Sequence, residues 1–285
     1  LLERTAPVSG DNIYLTLDAS LQNLAVEALT DKRGAIVAID PEDGGVLALV
    51  SSPGYDPNPF VNGIDIRSYK KLLGSKDTPL LNRALQGKYP PGSIVKPFFA
   101  IGALEYGLRN FSEETWCQGW YSLKGSTHRY RDWKKEGHGH TNLVNAIAQS
   151  CDVYFYALAH DMGINRIHEL LDRFGFGKKT NIDIVGEVAG LNPSQEWKRK
   201  SYGQAWYPGE TLIVGIGQGP SLITPLHLAV ATAAIANRGK LVRPHLFASA
   251  RDSITNELVN EYTPGEMEPI ELKNDQHWKQ VIDSM

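Results

Sequence analysis

The pattern of apolar and polar positions divides the first part of the chain into short elements. Residues 12–17 (NIYLTL) alternate apolar and polar side chains, which is typical of a half-buried strand. Asp18 follows and predicts the cap of a helix whose apolar positions continue to Leu29. The apolar runs 34–40 and 44–52 are separated by the turn residues PEDGG, so they predict an antiparallel hairpin.

Helical periodicity dominates the middle of the chain. Residues 53–92 are rich in Pro, Gly, Asn and Asp, which predicts a long surface excursion with one short helix near 65–73. Residues 110–140 combine aromatic side chains with glycines and predict an irregular, packed loop. Further helices are predicted over 93–107, 142–163, 164–174 and 224–239. Antiparallel strands followed by a helical subdomain predict an α+β fold.

Composition and charge limit the classes of protein to which the chain can belong. The chain has 285 residues, of which 42% are hydrophobic and 21% charged, and this is ordinary for a globular domain. The formal net charge is −3 and no long run of like charges occurs, so we expect no nucleic-acid partner. No stretch reaches the ~18–20 continuous apolar residues that a membrane-spanning helix needs.

A serine and a lysine are three residues apart in the sequence YPPGSIVK (89–96). Positions i and i+3 lie on one face of a helix, so the Lys96 amine can lie near the Ser93 hydroxyl. A neutral amine can take the proton from a serine nucleophile, and a helix N-terminus offers backbone N–H groups for an oxyanion. The pattern also occurs by chance, because Ser68 and Lys71 repeat it without a helix-start signal.

A second candidate motif is Ser150-Cys-Asp152, at a break predicted within the helix of 142–163. A serine there can relay a proton between a lysine and a leaving amine, and a carboxylate can hold the lysine. The alternative is a helix cap, since Ser and Asp favour cap positions for local reasons.

The cysteines predict a structural zinc site. Cys117, Asp132, His138 and Cys151 supply two thiolates, an imidazole and a carboxylate, which is a complete tetrahedral ligand set for zinc, with His140 as a reserve ligand. A metal there would tie the irregular loop to the predicted helix of 142–163. A Cys117–Cys151 disulfide and two inert buried thiols remain alternatives. The aromatic residues of this loop are predicted to form its core: Trp116, Trp120, Tyr121, Tyr130 and Trp133.

Several stretches together resemble the class B penicillin-binding proteins, in particular the transpeptidase domain of the penicillin-binding protein 2 subgroup. They are YLTLDASLQ, GAIVAIDPEDGGVLALVSSPGYDPN, NRALQGKYPPGSIVKP, YRDWKKEGHGH and GIGQG with the following TPLHLA. The resemblance runs from about residue 12 to about residue 247. It implies a penicillin-binding/serine β-lactamase-like fold and no cofactor for catalysis.

The resemblance also implies a reaction and its participants. Ser93 would attack the D-Ala-D-Ala end of a peptidoglycan stem peptide, with Lys96 as the base and Ser150 as the proton shuttle. An amine of a neighbouring stem would then form the cross-link, and β-lactam antibiotics would be trapped on the serine. The implied setting is the periplasmic face of the bacterial inner membrane, where a glycosyltransferase of the SEDS class is the partner in rod-shape elongation.

Two departures from the family pattern affect these expectations. Asp152 stands where the second motif usually has Asn, so its role is less certain than that of Ser150. No Lys-Thr-Gly or Lys-Ser-Gly occurs, and the sequence ends at VIDSM within a predicted helix. We therefore expect residues 1–285 to be an incomplete transpeptidase domain without its membrane anchor and pedestal domain. Loss of one oxyanion donor would slow catalysis by roughly 10²–10³.

Two other functions remain open at this point. A D,D-carboxypeptidase or a β-lactamase-like hydrolase uses the same nucleophile but transfers the acyl group to water. A non-catalytic domain that only binds β-lactams is the alternative from a different class.

Overall fold

The protein has an α+β fold in the computed structural model, which describes residues 8–265 and 267–285. The strands are β1 Asn12–Leu15, β2 Gly34–Ile39, β3 Val46–Ser52, β4 Thr115–Cys117, β5 Trp120–Tyr121, β6 Tyr130–Arg131, β7 Gly139–Thr141, β8 Phe247–Arg251 and β9 Leu258–Glu261. The helices are α1 Ala19–Ala28, α2 Asn58–Val61, α3 Ile66–Leu73, α4 Arg83–Gln86, α5 Lys96–Glu105, α6 Leu143–Ala148, α7 Asp152–Arg173, α8 Gln195–Tyr202, α9 Pro208–Gly215, α10 Pro225–Ala236 and α11 Gln276–Ile282.

The predicted strands near the start of the chain are confirmed in position, but the half-buried character predicted for the first is wrong, because every residue of β1 is exposed. β2 and β3 form the antiparallel hairpin, and in β3 the residues Val46, Ala48 and Val50 alternate towards the interior. The Asp18 carboxylate caps α1 by accepting a hydrogen bond from the Leu21 N–H at 2.9 Å. β1 pairs with β8, which pairs with β9, in an antiparallel sheet whose last two strands the sequence did not predict. β8 and β9 have no buried residue, so no apolar alternation marked them.

Helix α5 forms the centre of the core. Every one of its residues is buried, and it packs against α7. Gly102 permits this close approach, because a Cβ there would lie 2.5 Å from the Leu170 side chain. The Phe98 ring makes edge contacts with Phe174 at 4.9 Å and with Phe176 at 5.4 Å between ring centroids. This packing fixes the helix that carries Lys96.

The predictions for the two irregular regions were partly wrong. Residues 110–140 form the antiparallel pairs β4–β7 and β5–β6, whose strands of two or three residues are too short to show alternation in the sequence. Within the excursion 53–92, helix α4 is buried rather than exposed. The charge of Arg83 is tolerated there because its guanidinium donates to the Asp77 carbonyl and the Thr78 hydroxyl.

The break predicted in the middle helix is confirmed at Ser150. α6 ends before it and α7 begins after it, and Ser150 itself has the left-handed φ of 54°. Gly163 is non-helical (φ 74°, ψ 157°) and kinks α7, which confirms the predicted boundary between the helical stretches 142–163 and 164–174. Among the described residues, no helix has both the length and the apolar character needed to span a membrane.

We expect Phe98→Ala to lower the free energy of unfolding by about 3–5 kcal/mol, because it leaves a cavity between two aromatic rings in the core. Urea unfolding measures this change. The control is Phe60→Ala, at a ring that is 38% exposed, and we expect it to cost less than about 1 kcal/mol. Equal effects of the two variants would contradict this description of the core.

Candidate active site

Backbone contacts hold the turn that presents Ser93. Tyr89 and Ile223 exchange a pair of backbone hydrogen bonds, and the Gly92 N–H donates to the Gly217 carbonyl at 2.8 Å. Gly217 has a left-handed φ of 70°, and a Cβ there would lie 2.1 Å from the Gly92 carbonyl oxygen. Glycine is therefore required at this contact. The GIGQG stretch therefore supports the serine turn.

Ser93 lies in a 3-10 turn, Gly92–Val95, that leads directly into α5. Its hydroxyl is therefore at the N-terminal end of a helical segment, as the sequence predicted. The first N–H groups of a helix have no partner within it, so the Ser93 N–H is available to an oxyanion. The helix dipole adds positive potential at the same point.

Lys96 is the buried centre of a hydrogen-bond network. Its side chain is 2% exposed, and its amine donates to Asp152 Oδ1 at 2.6 Å and to Ser150 Oγ at 3.0 Å. A third bond, of 2.8 Å, goes to the Ser150 carbonyl. These three acceptors use all three N–H donors of an ammonium group. The lysine is thus fixed against the break between α6 and α7.

Ser150 connects the lysine to Ser93. The two hydroxyl oxygens are 2.8 Å apart, with Ser150 donating. The spacing of three residues predicted a direct approach of Lys96 to Ser93, but no direct hydrogen bond joins these two described residues. A hydroxyl both donates and accepts, so Ser150 can pass a proton in either direction between them.

The left-handed conformation of Ser150 is what points its hydroxyl at both partners. A non-glycine residue in this region costs on the order of 1 kcal/mol or more and needs support from its surroundings. Part of that support comes from the start of α7, where Cys151 Sγ accepts a hydrogen bond from the Tyr154 N–H. The alternative interpretation of Ser150-Cys-Asp152 as a simple cap is therefore only partly right, since the cap is Cys151.

The second S-x-x-K copy lies elsewhere. Ser68 and Lys71 are on the exposed helix α3, where the Ser68 N–H donates to the capping Asp65 carboxylate. Among the described residues, neither Ser68 nor Lys71 makes a contact comparable to those of Ser93 and Lys96.

The four predicted metal ligands come together beside α7. Cys117 Sγ lies 3.6 Å from Asp132 Oδ2 and 3.5 Å from His138 Nδ1, while Cys151 Sγ lies 3.5 Å from Asp132 Oδ2. All four ligand atoms are within 4.8 Å of one another. Zinc bonds of about 2.0–2.3 Å place tetrahedral ligand atoms about 3.3–3.8 Å apart, a range that these three contacts match and that the 4.8 Å limit of the whole cluster exceeds.

His140, the reserve ligand, is not part of this cluster. His140 points away, with a 69% exposed side chain that pairs with Glu114. Both cysteines are buried free thiols, and burial raises the pKa of the Cys151 thiol. His138 has its Nδ1 towards the other ligands, and its buried Nε2 has no partner among the described residues.

Two aromatic residues depart from the prediction of a packed loop core. The side chains of Trp116 and Trp133 are largely exposed, at 59% and 63%. Trp133 donates its indole N–H to the Gln149 carbonyl at 3.1 Å, next to Ser150.

The sequence of residues 34–285 matches the family described as the penicillin binding protein transpeptidase domain. The chain belongs to this family. This match confirms the fold that the resemblance implied, and it confirms the class of protein.

Individual relatives agree with this assignment. The peptidoglycan D,D-transpeptidase MrdA of Acinetobacter baumannii is 49% identical over 245 residues, which are 86% of this chain and 36% of the relative. The crystal structure of Pseudomonas aeruginosa PBP2 in complex with WCK 5153 is 47% identical and has a TM-score of 0.90, covering 99% of this chain and 60% of that chain. A chain in a structure of a peptidoglycan synthase complex that coordinates polymerization and crosslinking is 31% identical, with a TM-score of 0.83, and the match covers 96% of this chain and 49% of that one.

We expect thiol titration in denaturant, with a chelator and without reductant, to find two free thiols per chain, since both cysteines are unpaired. In the folded protein both should react slowly, because Cys117 is 1% exposed and Cys151 is fully buried. The absence of thiols after unfolding, with an intact mass two hydrogens lighter, would establish the disulfide instead.

Proposed function

We propose that the protein is a serine-type peptidoglycan D,D-transpeptidase that cross-links stem peptides in rod-shape cell-wall elongation. The observation that carries the proposal is the continuous hydrogen-bond chain from Ser93 through Ser150 to Lys96 and Asp152, which begins at a helix N-terminus. The family membership and the MrdA relative support the same reaction. The carboxypeptidase and the β-lactamase-like alternatives gain no specific observation.

Acylation follows from the chemistry of these groups. Ser93 Oγ attacks the carbonyl carbon of the penultimate D-Ala while its proton moves through the Ser150 hydroxyl to the neutral form of the Lys96 amine. The Ser93 N–H stabilises the oxyanion of the tetrahedral intermediate. The bond to the terminal D-Ala then breaks, the proton returns through Ser150 to the leaving amine, and an ester on Ser93 remains.

Cross-linking reverses the steps of acylation, with a different amine as the reactant. An amine from a neighbouring stem peptide attacks the ester carbonyl and loses its proton through Ser150 to Lys96. The Ser93 oxygen leaves and recovers a proton by the same route. Asp152 holds Lys96 beside Ser150 in both half-reactions. A β-lactam has a strained acyl bond that Ser93 opens in the same way, and its ester persists.

The proposed setting is the periplasmic face of the bacterial inner membrane, with a glycosyltransferase of the SEDS class as partner. The similarity to a chain of a peptidoglycan synthase complex supports such an assembly. These statements concern the whole protein, of which residues 1–285 would be an incomplete transpeptidase domain.

We also propose that Cys117, Asp132, His138 and Cys151 bind a structural zinc ion. The spacing of 3.5–3.6 Å between neighbouring ligand atoms supports this set. With four protein ligands no position remains for substrate, so zinc would stabilise the fold of the loop and supply no chemistry. Asp132 also accepts the Val153 N–H at 3.0 Å, which links the cluster to the start of α7.

We expect the native protein to gain the mass of one ring-opened penicillin, and Ser93→Ala to gain none, because the attacking oxygen is lost. Intact mass spectrometry followed by peptide mapping measures this. The matched control is Ser68→Ala, which alters the other S-x-x-K sequence and should label like the native protein.

Each outcome of the mass measurement has a distinct meaning. A stable adduct supports an acyl-transferring enzyme, whereas rapid loss of the adduct with release of hydrolysed drug would favour a β-lactamase-like hydrolase. An adduct that persists in Ser93→Ala would show that the nucleophile is misassigned.

We expect the purified protein to contain one zinc ion per chain by elemental analysis, and His138→Ala to lose most of it, because one ligand of four is removed. His140→Ala is the control and should retain the metal, since its side chain is exposed and faces Glu114. Circular dichroism checks that both variants fold. Loss of zinc from the His140 variant alone, or its absence from native protein purified without chelator, would contradict the proposed site.

A further inference from the structure

Trp133 makes an unusual contact for a largely exposed side chain. Its indole N–H donates to the Gln149 carbonyl at 3.1 Å, across a separation of 16 residues. Gln149 is the residue immediately before Ser150, which has the left-handed φ of 54°. The only polar group of this tryptophan therefore reaches the backbone at the turn that presents the Ser150 hydroxyl.

The same loop also holds the other side of this turn. Asp132 Oδ2 accepts a hydrogen bond from the Val153 N–H at 3.0 Å. Two consecutive loop residues thus bind the backbone at positions 149 and 153, one on each side of Ser150. The Trp133 ring lies edge-on to His138 with 5.4 Å between ring centroids, which limits the movement of the indole.

Ser150 needs this kind of support because its hydroxyl serves two partners. It accepts from Lys96 at 3.0 Å and donates to Ser93 at 2.8 Å. A rotation of the peptide between Gln149 and Ser150 would move the hydroxyl away from both atoms, and a displacement of less than 1 Å weakens a hydrogen bond of this kind. The carbonyl of that peptide is the group to which Trp133 is bonded.

We propose that Trp133 is a positioning residue for Ser150, acting through the bond from its indole N–H to the Gln149 carbonyl. The inference rests on the proposed function, because it concerns proton transfer through Ser150. Trp133 acts on the rate of acylation without contacting the reacting atoms. The opposing hypothesis, that the exposed ring binds substrate directly, predicts a change in affinity instead.

The test is Trp133→Phe in the native protein, which removes the N–H and keeps an aromatic ring against His138. The rate constant for acylation by a fluorescent penicillin should fall roughly three- to tenfold, the effect of losing one hydrogen bond. The dissociation constant of the initial non-covalent complex should be unchanged, and the thermal midpoint should fall by no more than about 4 °C. Trp116→Phe is the matched control, because Trp116 is an exposed tryptophan of the same loop that makes an edge contact with His140 and, within the described part of the chain, has no hydrogen bond to the turn.

A double-mutant cycle with Ser150→Ala separates positioning from other effects. If Trp133 acts through the Ser150 hydroxyl, then Trp133→Phe should cause no further loss of acylation rate in the Ser150→Ala background. An undiminished three- to tenfold loss in that background would overturn the proposal, as would a change confined to the dissociation constant.

Hydrogen exchange tests the positioning role of Trp133 without a measurement of catalysis. The amides of Ser150 and Cys151 donate to the carbonyls of Ile147 and Ala146 and should exchange with solvent slowly. In Trp133→Phe their hydrogen exchange should be roughly three- to tenfold faster. If native protein is not acylated, the proposed function fails. If exchange at this turn is unchanged in Trp133→Phe, the positioning role fails, whatever the activity.

Discussion

The buried amine of Lys96 is the constraint on which the rest of the site depends. A charged group taken out of water is costly unless it is paired and hydrogen-bonded. Lys96 is 2% exposed at its side chain and finds its acceptors on a segment more than 50 residues away, at Ser150 and Asp152. The N-terminus of α5 must therefore lie against the break between α6 and α7. The contacts that make burial of the charged amine tolerable also hold Lys96 beside the Ser150 hydroxyl.

The backbone around both serines adopts conformations that the surrounding structure must maintain. On the Ser93 side this is done by close contact between two glycines, Gly92 and Gly217, both with positive φ. On the other side Ser150 has a left-handed φ without being glycine. Its conformation is held by hydrogen bonds from the neighbouring loop and at the start of α7. The two hydroxyls are 2.8 Å apart because both turns are fixed.

The loop that supports Ser150 has little secondary structure of its own. Its strands contain two or three residues each, so few backbone hydrogen bonds stabilise it. The cluster centred on Asp132 replaces them with contacts between the loop and Cys151. A zinc ion in the proposed site would strengthen this connection, since binding energy from a metal substitutes for missing secondary structure.

The sequence by itself determined the features that depend on residues close together in the chain. The prolines and glycine before Ser93 predicted a helical start, the turn PEDGG predicted the β2–β3 hairpin, and the ligand set of the cysteine cluster was readable from residue types alone. Local patterns carry this information because helix starts, tight turns and ligand chemistry act over a few residues.

Tertiary structure alone decided the contacts between distant segments. The route from Lys96 to Ser93 passes through Ser150, 54 residues from the lysine, whereas the local spacing had indicated a direct approach. Two further contacts could not be predicted from local sequence patterns. They are the contact of Gly217 with Gly92 and the hydrogen bond from Trp133 to Gln149. The reason is physical: which carbonyl meets which donor depends on how α5, α7 and the loop pack together, and no periodicity within one segment reports on the position of another.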